Sequence, residues 1–230
     1  MNFAIILSGG VGVRLGGNIP KQYIEVNNRP IIGYCLDTFQ RNNQIDKIVI
    51  VISDEWKEPI TSYIIANQIT KFISFASAGK SRQHSILNGL EACKTLGAEE
   101  NDRVIIHDAA RPNVDDDLIN GCLSTLESYD NAMPVITVKD TVYYSEDGKN
   151  IKSLLNRDNI YAGQAPESCH FGSYYRINKS LSDDQLSAVR GTSAIAYENG
   201  LTVGLFKGKE HNYKITTMED LNKFRLEKNA

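Results

Sequence analysis

Short apolar runs alternate along most of this chain with segments of helical spacing, and this alternation constrains the fold more than any other feature. Strands are predicted at Phe3 to Leu7, Lys47 to Ile52, Phe72 to Ala76, Arg103 to His107 and Ala132 to Val138. Apolar residues three and four positions apart predict helices at Ile31 to Phe39, Trp56 to Ala66, Arg82 to Leu96 and Asp117 to Leu126. We therefore predict an α/β fold with a Rossmann-like, mainly parallel sheet flanked by helices.

The size and charge of the chain narrow the class of protein. Its 230 residues lie within the range of one domain, so we treat residues 1–230 as a single domain. The formal net charge is −3, and the sequence has no long run of Lys or Arg, so we expect neither a nucleic acid nor a membrane as partner. The N-terminus lacks the layout of a signal peptide, and the four cysteines are widely spaced without a CxxC pair. We expect a cytoplasmic protein with reduced thiols.

The segment from Lys139 to Ala162 interrupts the alternation. Thr141 to Tyr144 predicts a strand, Glu146 to Lys149 predicts a turn, and a returning strand is predicted from Ile151 onward. We interpret residues 139–162 as a β-hairpin arm inserted in the domain. Near the C-terminus, Thr217 and Asp220 form a capping-box pattern that predicts the start of the last helix.

A glycine-rich segment, Leu7 to Gly16, follows the first predicted strand. Glycines let backbone N–H groups approach phosphate oxygens. Arg14 in the same segment adds a guanidinium that can donate charge-assisted hydrogen bonds to them. The alternative interpretation of this segment is that it is simply a tight strand-to-helix turn. Three residues separate Gly12 from Gly16, so the GxGxxG spacing of nicotinamide-dependent reductases is absent. Gly79-Lys80-Ser81 is not a Walker A motif either, because Ser74 stands where the leading glycine belongs.

Two charged residues are candidates for phosphate chemistry. Lys21, in Pro20-Lys21-Gln22, would join Arg14 as a second cation beside a triphosphate, although a solvated surface lysine is the alternative. Asp108, in His107-Asp108-Ala109-Ala110-Arg111-Pro112, follows an apolar run. Ligands of open α/β sheets gather at the carboxyl ends of strands, so Asp108 is a candidate Mg²⁺ ligand. Its alternative is a turn or cap aspartate paired with Arg111.

Five motifs follow one another along the chain, namely GGxGxRxxxxxPKQ, Gly79-Lys-Ser-Arg-Gln-His-Ser85, HDAARP, Tyr161-Ala-Gly-Gln-Ala-Pro166 and Asn212-Tyr-Lys-Ile-Thr-Thr217. In this order they resemble the cytidylyltransferases that act on methylerythritol phosphate and ribitol 5-phosphate. The resemblance covers essentially the whole chain. It implies a nucleotide-diphospho-sugar transferase type of fold, transfer of CMP from CTP with Mg²⁺, and a homodimer in which the arm crosses to the partner subunit.

The resemblance also implies roles for individual residues. Arg14 and Lys21 match the cations that stabilise the transition state, and Arg157 and Lys214 match those that hold the acceptor phosphate. Arg157 would act in the partner's site. The nucleotide-binding set is Leu7, Ser8, Gly9, Gly10, Gly79, Lys80, Ser81, Arg82 and Ser85. The acceptor set is Asp108, which is also the metal candidate, with Arg111, Thr141, Arg157 and Lys214.

Departures from the family patterns bear on the acceptor. His211 stands where methylerythritol-type enzymes usually carry aspartate, and Tyr161 stands where they tend to have tryptophan. The segment that includes Ser180 to Leu186 is longer than in those enzymes. These features resemble the ribitol-phosphate type. Both types generally carry an aspartate at the position of Gly191. Its absence from this chain indicates an altered acceptor pocket. We rank ribitol 5-phosphate or a close analogue first, methylerythritol phosphate second, and a catalytically inactive nucleotide-binding homologue third, because a binding module needs no acceptor cations.

Overall fold

The computed structural model describes residues 1–10, 19–189 and 191–229, so Arg14 and Arg190 lie outside it. Its strands are β1 (Asn2–Leu7), β2 (Glu25–Val26), β3 (Arg29–Pro30), β4 (Lys47–Ile52), β5 (Phe72–Ser77), β6 (Arg103–Asp108), β7 (Asn131–Thr137), β8 (Val142–Tyr144), β9 (Ser153–Leu155), β10 (Tyr161–Gly163), β11 (Glu167–His170) and β12 (Val203–Lys207). Its α-helices are α1 (Ile31–Arg41), α2 (Lys57–Ala66), α3 (Arg82–Thr95), α4 (Asp116–Thr125), α5 (Phe171–Ser180), α6 (Asp183–Ala188), α7 (Thr192–Glu198) and α8 (Met218–Asn229).

The central sheet has the strand order β10-β7-β11-β6-β1-β4-β5, and β12 pairs with β7 as well. Strands β6, β1, β4 and β5 are parallel neighbours, whereas β11 and β10 run antiparallel to the strands they pair with. The prediction of a mainly parallel sheet flanked by helices is confirmed. The carboxyl ends of β1 and β6 therefore lie side by side, with Leu7 paired to Asp108.

Both faces of the sheet are covered. Along β1, Ala4 and Ile6 pack in a core with α1, α2 and α4, whereas Phe3 and Ile5 pack on the opposite face with α3, α5 and α7. All four side chains are completely buried. Strands that are buried on both faces appear as continuous apolar runs, which is why the sequence identifies them.

The region between Gln164 and Gly208 contains elements that the alternation did not predict, namely β11, α5, α6, α7 and β12. Strand β11 has the sequence Glu-Ser-Cys-His, which lacks an apolar run, yet Glu167, Ser168 and Cys169 are buried. Polar side chains can be buried where hydrogen bonds satisfy them. Ser168 Oγ donates to the Cys122 carbonyl at 3.0 Å, and Glu167 accepts from Ser193.

The predicted arm contains a hairpin outside the central sheet. Strand β8 pairs antiparallel with β9, and Asp147 accepts from the backbone N–H groups of Lys149 and Asn150 in the turn, where Gly148 has φ +68°. The arm ends earlier than we predicted, because Tyr161 and Ala162 pair with Thr137 and Ile136 of β7. Residues 161 and 162 therefore belong to the sheet.

The last helix has the predicted capping box. Thr217 Oγ1 accepts from the Asp220 N–H at 3.2 Å, and Asp220 Oδ2 accepts from the Thr217 N–H at 2.9 Å. This pair satisfies two N–H groups that would otherwise lack partners in the first turn. No described helix combines the length and the apolar composition that crossing a bilayer requires.

Candidate active site

A cleft of about 830 Å³ opens at the carboxyl ends of β1 and β6, beside the first turn of α3. This volume falls within the range of ligand pockets, which is roughly 300–1,000 Å³. The cleft contains most of the residues singled out from the sequence. Its lining is Leu7, Gly9, Gly10, Lys21, Gln22, Gly79, Lys80, Ser81, Arg82, Ser85, Asp108, Ala110, Lys214 and Thr216.

Two glycines let the loops that form the cleft approach each other. A Cβ atom at Gly9 would collide with the Ala78 side chain, and one at Gly79 would lie 2.7 Å from the Ser85 backbone nitrogen. The Gly79 N–H donates to Ser85 Oγ at 2.9 Å, which fixes this loop to α3. At Gly10, by contrast, a Cβ would meet nothing within 4 Å. Gly9 and Gly79 therefore serve packing, whereas Gly10 leaves backbone open to the cleft.

Gln22 is a supporting residue to which the sequence analysis gave no role. Its side chain is 3% exposed, and its Nε2 donates to the carbonyls of Ser8 and Gly10, each at 2.7 Å. Ser8 lies behind the cleft and outside its lining, with its hydroxyl hydrogen-bonded to Tyr23 at 2.7 Å. Gln22 thus ties the glycine-rich segment to Lys21, its neighbour in sequence. The sequence feature that could have identified Gln22 is its place in the Pro-Lys-Gln motif.

The first turn of α3 forms one wall of the cleft. Ser81 caps the helix by accepting from the His84 N–H, and Arg82 is the first helical residue. Helix N-termini carry partial positive charge and N–H groups without helical partners, so they suit phosphate oxygens. Lys80 extends from the loop before α3 and forms an ion pair with Asp183 of α6.

Asp108 lies among three cations. Its Oδ1 is 3.2 Å from Arg82 Nε, its Oδ2 is 2.9 Å from Lys214 Nζ, and Arg111 Nε is 3.9 Å from Oδ2. Burial opposes ionisation of Asp108, but the charges of Arg82 and Lys214 outweigh it and hold the carboxyl pKa well below its usual range. Asp108 is therefore ionised at neutral pH, and it orients Lys214 at the edge of the cleft.

These contacts do not fit the prediction of Asp108 as a direct Mg²⁺ ligand. Both of its oxygens already contact cations, and a metal ion would have to displace Lys214 or Arg82. The described residues contain no group of three His, Cys, Asp or Glu side chains placed to hold a metal. Mg²⁺ often takes few protein ligands and binds through substrate phosphates. The alternative, an aspartate paired with Arg111, describes part of what is seen, because Arg111 is 3.9 Å away whereas Lys214 and Arg82 lie closer to Asp108.

Three predicted acceptor residues lie outside the cleft lining. Arg111 lies beneath the lining, where its Nη1 donates to the Asn212 carbonyl at 2.7 Å. Thr141 and Arg157 lie in the arm and border a separate hollow with Leu154, Leu155 and Asn156. Arg157 Nη1 donates to the Lys139 carbonyl at 2.6 Å. The structure of this chain therefore brings Lys21, Asp108 and Lys214 together and leaves Arg157 apart.

We predict that acid destabilises the fold because His107 is buried in its uncharged form. Complete burial lowers the pKa of His107 to about 4, and its Nε2 lies 3.0 Å from the Arg111 carbonyl. An unfolded histidine has a pKa near 6.5, so below about pH 6.5 the unfolded chain binds a proton that the folded chain excludes. The free energy of unfolding should fall as the pH falls from about 6.5 to 4, by up to about 1.4 kcal/mol per pH unit from this group.

Urea unfolding between pH 7 and pH 4.5 tests this prediction. His107→Gln retains a nitrogen donor toward the Arg111 carbonyl but does not titrate, so its stability should depend less steeply on pH. Equal slopes for the two proteins would show that His107 does not cause the loss.

Comparisons with known proteins match this chain over nearly its full length. A family model described as IspD, 2-C-methyl-D-erythritol 4-phosphate cytidylyltransferase, matches residues 2–226. The enzyme of that name from Clostridium beijerinckii is 34% identical over 95% of this chain and 94% of its own. The ribitol-5-phosphate cytidylyltransferase of Streptococcus agalactiae serotype Ia is 30% identical over 98% of this chain and 94% of its own.

Solved structures match the fold. The 2-C-methyl-D-erythritol 4-phosphate cytidylyltransferase of Francisella tularensis has a TM-score of 0.80 and 26% identity, with 98% of each chain covered. The 4-diphosphocytidyl-2C-methyl-D-erythritol synthase of Anaerococcus prevotii has a TM-score of 0.81 and 23% identity, covering all of this chain and 96% of its own. The second match supports the fold alone. Every residue that lines the cleft lies within the segment matched by the family model.

Proposed function

Because this chain belongs to the cytidylyltransferase family whose model is described as IspD, we propose that it transfers CMP from CTP to a small sugar- or polyol-phosphate. The products are a CDP-linked compound and pyrophosphate. The observation that carries the proposal is the cleft, where two glycine-containing loops and the cations Lys21, Arg82 and Lys214 surround one cavity. CTP and the acceptor phosphate are both anions, so the cleft has to neutralise charge on each of them.

The two ends of the cleft suit different substrates. We assign the loops at Leu7 to Gly10 and Gly79 to Ser85 to the nucleotide end, because both line the cleft and the N-terminus of α3 in the same wall suits phosphate oxygens. Asp108, Lys214 and Thr216 form the acceptor end. Lys21 contributes to the same lining and, together with Arg14 by family resemblance, would stabilise the departing pyrophosphate.

The reaction is an in-line displacement. An oxygen of the acceptor phosphate attacks the α-phosphorus of CTP, the bond between that phosphorus and the bridging oxygen breaks, and pyrophosphate leaves with the electron pair. A phosphate monoester is already anionic near neutral pH, so no side chain needs to remove a proton. His107 is buried and uncharged at neutral pH, which agrees with this account. Mg²⁺ would enter with the triphosphate, since Asp108 does not fit a metal ligand.

D-Ribitol 5-phosphate, or a close analogue, is our first choice of acceptor. His211, which departs from the methylerythritol-type pattern, lies 3.2 Å from Asp115 through its Nε2, next to the Asn212–Thr217 segment that carries Lys214. 2-C-Methyl-D-erythritol 4-phosphate is the second choice, supported by the family description and by the Clostridium beijerinckii relative. The Streptococcus agalactiae relative supports the first.

We further propose a homodimer in which the arm completes the partner's site. The arm exposes large apolar side chains, with Tyr143 54%, Ile151 66% and Leu154 65% exposed. A two-stranded hairpin is marginal alone in water, so a second copy that covers these side chains would stabilise it. Arg157 borders the arm's own hollow and lies apart from its own chain's cleft lining. A crossed arm would deliver this cation to the acceptor end of the other cleft.

Pyrophosphate release tests the proposed function. We expect release with CTP only when an acceptor phosphate is added, with D-ribitol 5-phosphate giving the highest kcat/KM among ribitol, xylitol, arabinitol and methylerythritol phosphates. ATP and GTP should be much poorer donors, because the loops at the nucleotide end would read a pyrimidine edge and exclude a purine. Equal turnover with ATP or GTP would contradict the assignment. CTP binding without release for any acceptor would favour an inactive homologue.

A further inference from the structure

Arg82 is held from three directions at the boundary between the nucleotide and acceptor ends of the cleft. Its Nε is 3.2 Å from Asp108 Oδ1, its Nη1 donates to Thr192 Oγ1 at 2.8 Å, and its Nη2 is 3.6 Å from Glu167 Oε1. The partners belong to β6, α7 and β11 respectively. A guanidinium has five N–H groups, and these contacts use at most three of them. At least two remain for a ligand in the cleft that Arg82 lines.

Glu167 is a buried carboxylate partner of Arg82 to which the proposed function gives no role. Its side chain is only 8% exposed, and Glu167 is not among the residues that line the cleft. Its Oε2 accepts from the Ser193 N–H at 2.8 Å and lies 2.6 Å from Ser193 Oγ. These contacts leave Oε1 for Arg82. A buried carboxylate is costly unless it is paired and hydrogen-bonded, and Glu167 is both.

The N-terminus of α7 explains why a carboxylate reaches this point. Gly191 is the N-cap residue and makes no side-chain cap, so Glu167 accepts from the first turn in its place. Glu167 therefore satisfies one N–H group of this turn, which Gly191 cannot cap because it has no side chain. Glu167 thereby couples the start of α7 to the orientation of Arg82.

The balance of charge shows what Glu167 changes. Arg82, Arg111 and Lys214 face the two carboxylates Asp108 and Glu167, so the group has one excess positive charge next to the cleft. Without the charge of Glu167, Arg82 would have only Asp108 as a carboxylate partner and would compete there with Lys214. Sharing Arg82 between the two carboxylates leaves an Asp108 oxygen for Lys214.

We propose that Glu167 is a positioning residue that holds Arg82, and through Asp108 also Lys214, in place for the acceptor phosphate. This inference rests on the proposed function. Glu167 acts on the acceptor, because Asp108 and Lys214 form the acceptor end, and it does so without touching the substrate. A residue that served only to cap α7 would affect stability and leave substrate dependence unchanged.

The central test is Glu167→Gln, which keeps an oxygen for Ser193 and removes the charge. We expect KM for the best acceptor to rise about tenfold and kcat to fall, while Kd for CTP by calorimetry changes clearly less, because Arg82 keeps its charge and its place in the segment from Gly79 to Ser85. Ser193→Ala is the matched control, because it removes a hydrogen bond from Glu167 and retains the charge beside Arg82. It should lower Tm and leave acceptor KM near the wild-type value.

Several outcomes would overturn the proposal. These are acceptor kinetics in Glu167→Gln within twofold of wild type, an equal weakening of CTP binding, or the same KM change in Ser193→Ala. If Glu167→Gln does not fold, Arg82→Lys decides, because lysine keeps the charge but cannot make three directed contacts. Its acceptor KM should rise similarly, and an unchanged value would refute the idea. A wild-type protein without acceptor-dependent pyrophosphate release would refute the proposed function as well.

Discussion

Replacing Lys21 with alanine should lower kcat by roughly a hundredfold or more while Kd for CTP changes little. Lys21 lines the cleft in a short 3₁₀-helix, and the adjacent Gln22 ties that helix to the glycine-rich segment. The backbone around Lys21 is therefore fixed before substrate binds. Negative charge on the reacting phosphates is greatest in the transition state, so a preorganised cation contributes most there.

Steady-state kinetics and calorimetric CTP binding measure the two effects separately. Lys57→Ala is the control, because Lys57 pairs with Asp54 at 2.7 Å and is absent from the cleft lining. Its kcat should match wild type. A rise in KM for CTP with unchanged kcat in Lys21→Ala would mean that Lys21 binds the ground state only. Arg14→Ala should resemble Lys21→Ala, an expectation that comes from the sequence alone.

Mixing two inactive proteins, Arg157→Ala and Lys21→Ala, should restore about a quarter of wild-type activity per total protein once the subunits have exchanged. In the crossed arrangement, a mixed dimer has one cleft with its own Lys21 and the partner's intact arm. The other cleft lacks both cations. Random exchange makes about half of the dimers mixed, and each of these has one working site of two.

A second mixture provides the control. Lys21 and Lys214 line the cleft of the same chain, so Lys21→Ala mixed with Lys214→Ala should stay inactive in either arrangement. Exchange of subunits is confirmed by native mass spectrometry of differently tagged chains. Mixed Arg157→Ala and Lys21→Ala dimers that stay inactive would show that Arg157 does not act across the interface.

Burial on both faces decided which strands the sequence could identify. The strands β1, β4 and β6 contain consecutive apolar residues because both faces of the sheet are covered, and their predicted bounds agree with the structure to within a residue. Strand β11 gave no such signal, since hydrogen bonds rather than apolar character allow its polar residues to be buried. Helix α6 did carry a signal, the Ser182 and Gln185 capping box, which the sequence analysis did not use.

The candidate site was predictable where one motif forms one wall. Leu7 to Gly10 and Gly79 to Ser85 are continuous segments, and their glycines report close approach of backbone. The contacts of Glu167 and Thr192 with Arg82 were not predictable, because these residues are 85 and 110 positions away from Arg82 respectively. Asp108 shows the same limitation: its position was right, but the cations around it, which argue against a metal ligand, come from distant parts of the chain.

The order of the cleft residues along the chain bears on how such an enzyme can evolve or be redesigned. In the proposed assignment, every lining residue of the nucleotide end precedes Arg103, where β6 begins, and the lining residues of the acceptor end are Asp108, Ala110, Lys214 and Thr216. The two recognition tasks are thus encoded in successive stretches of one gene. Under that assignment, recombination or mutagenesis confined to codons 108–216, which also encode the arm with Arg157, would change the acceptor while the segments proposed to contact the nucleotide keep their inherited sequence.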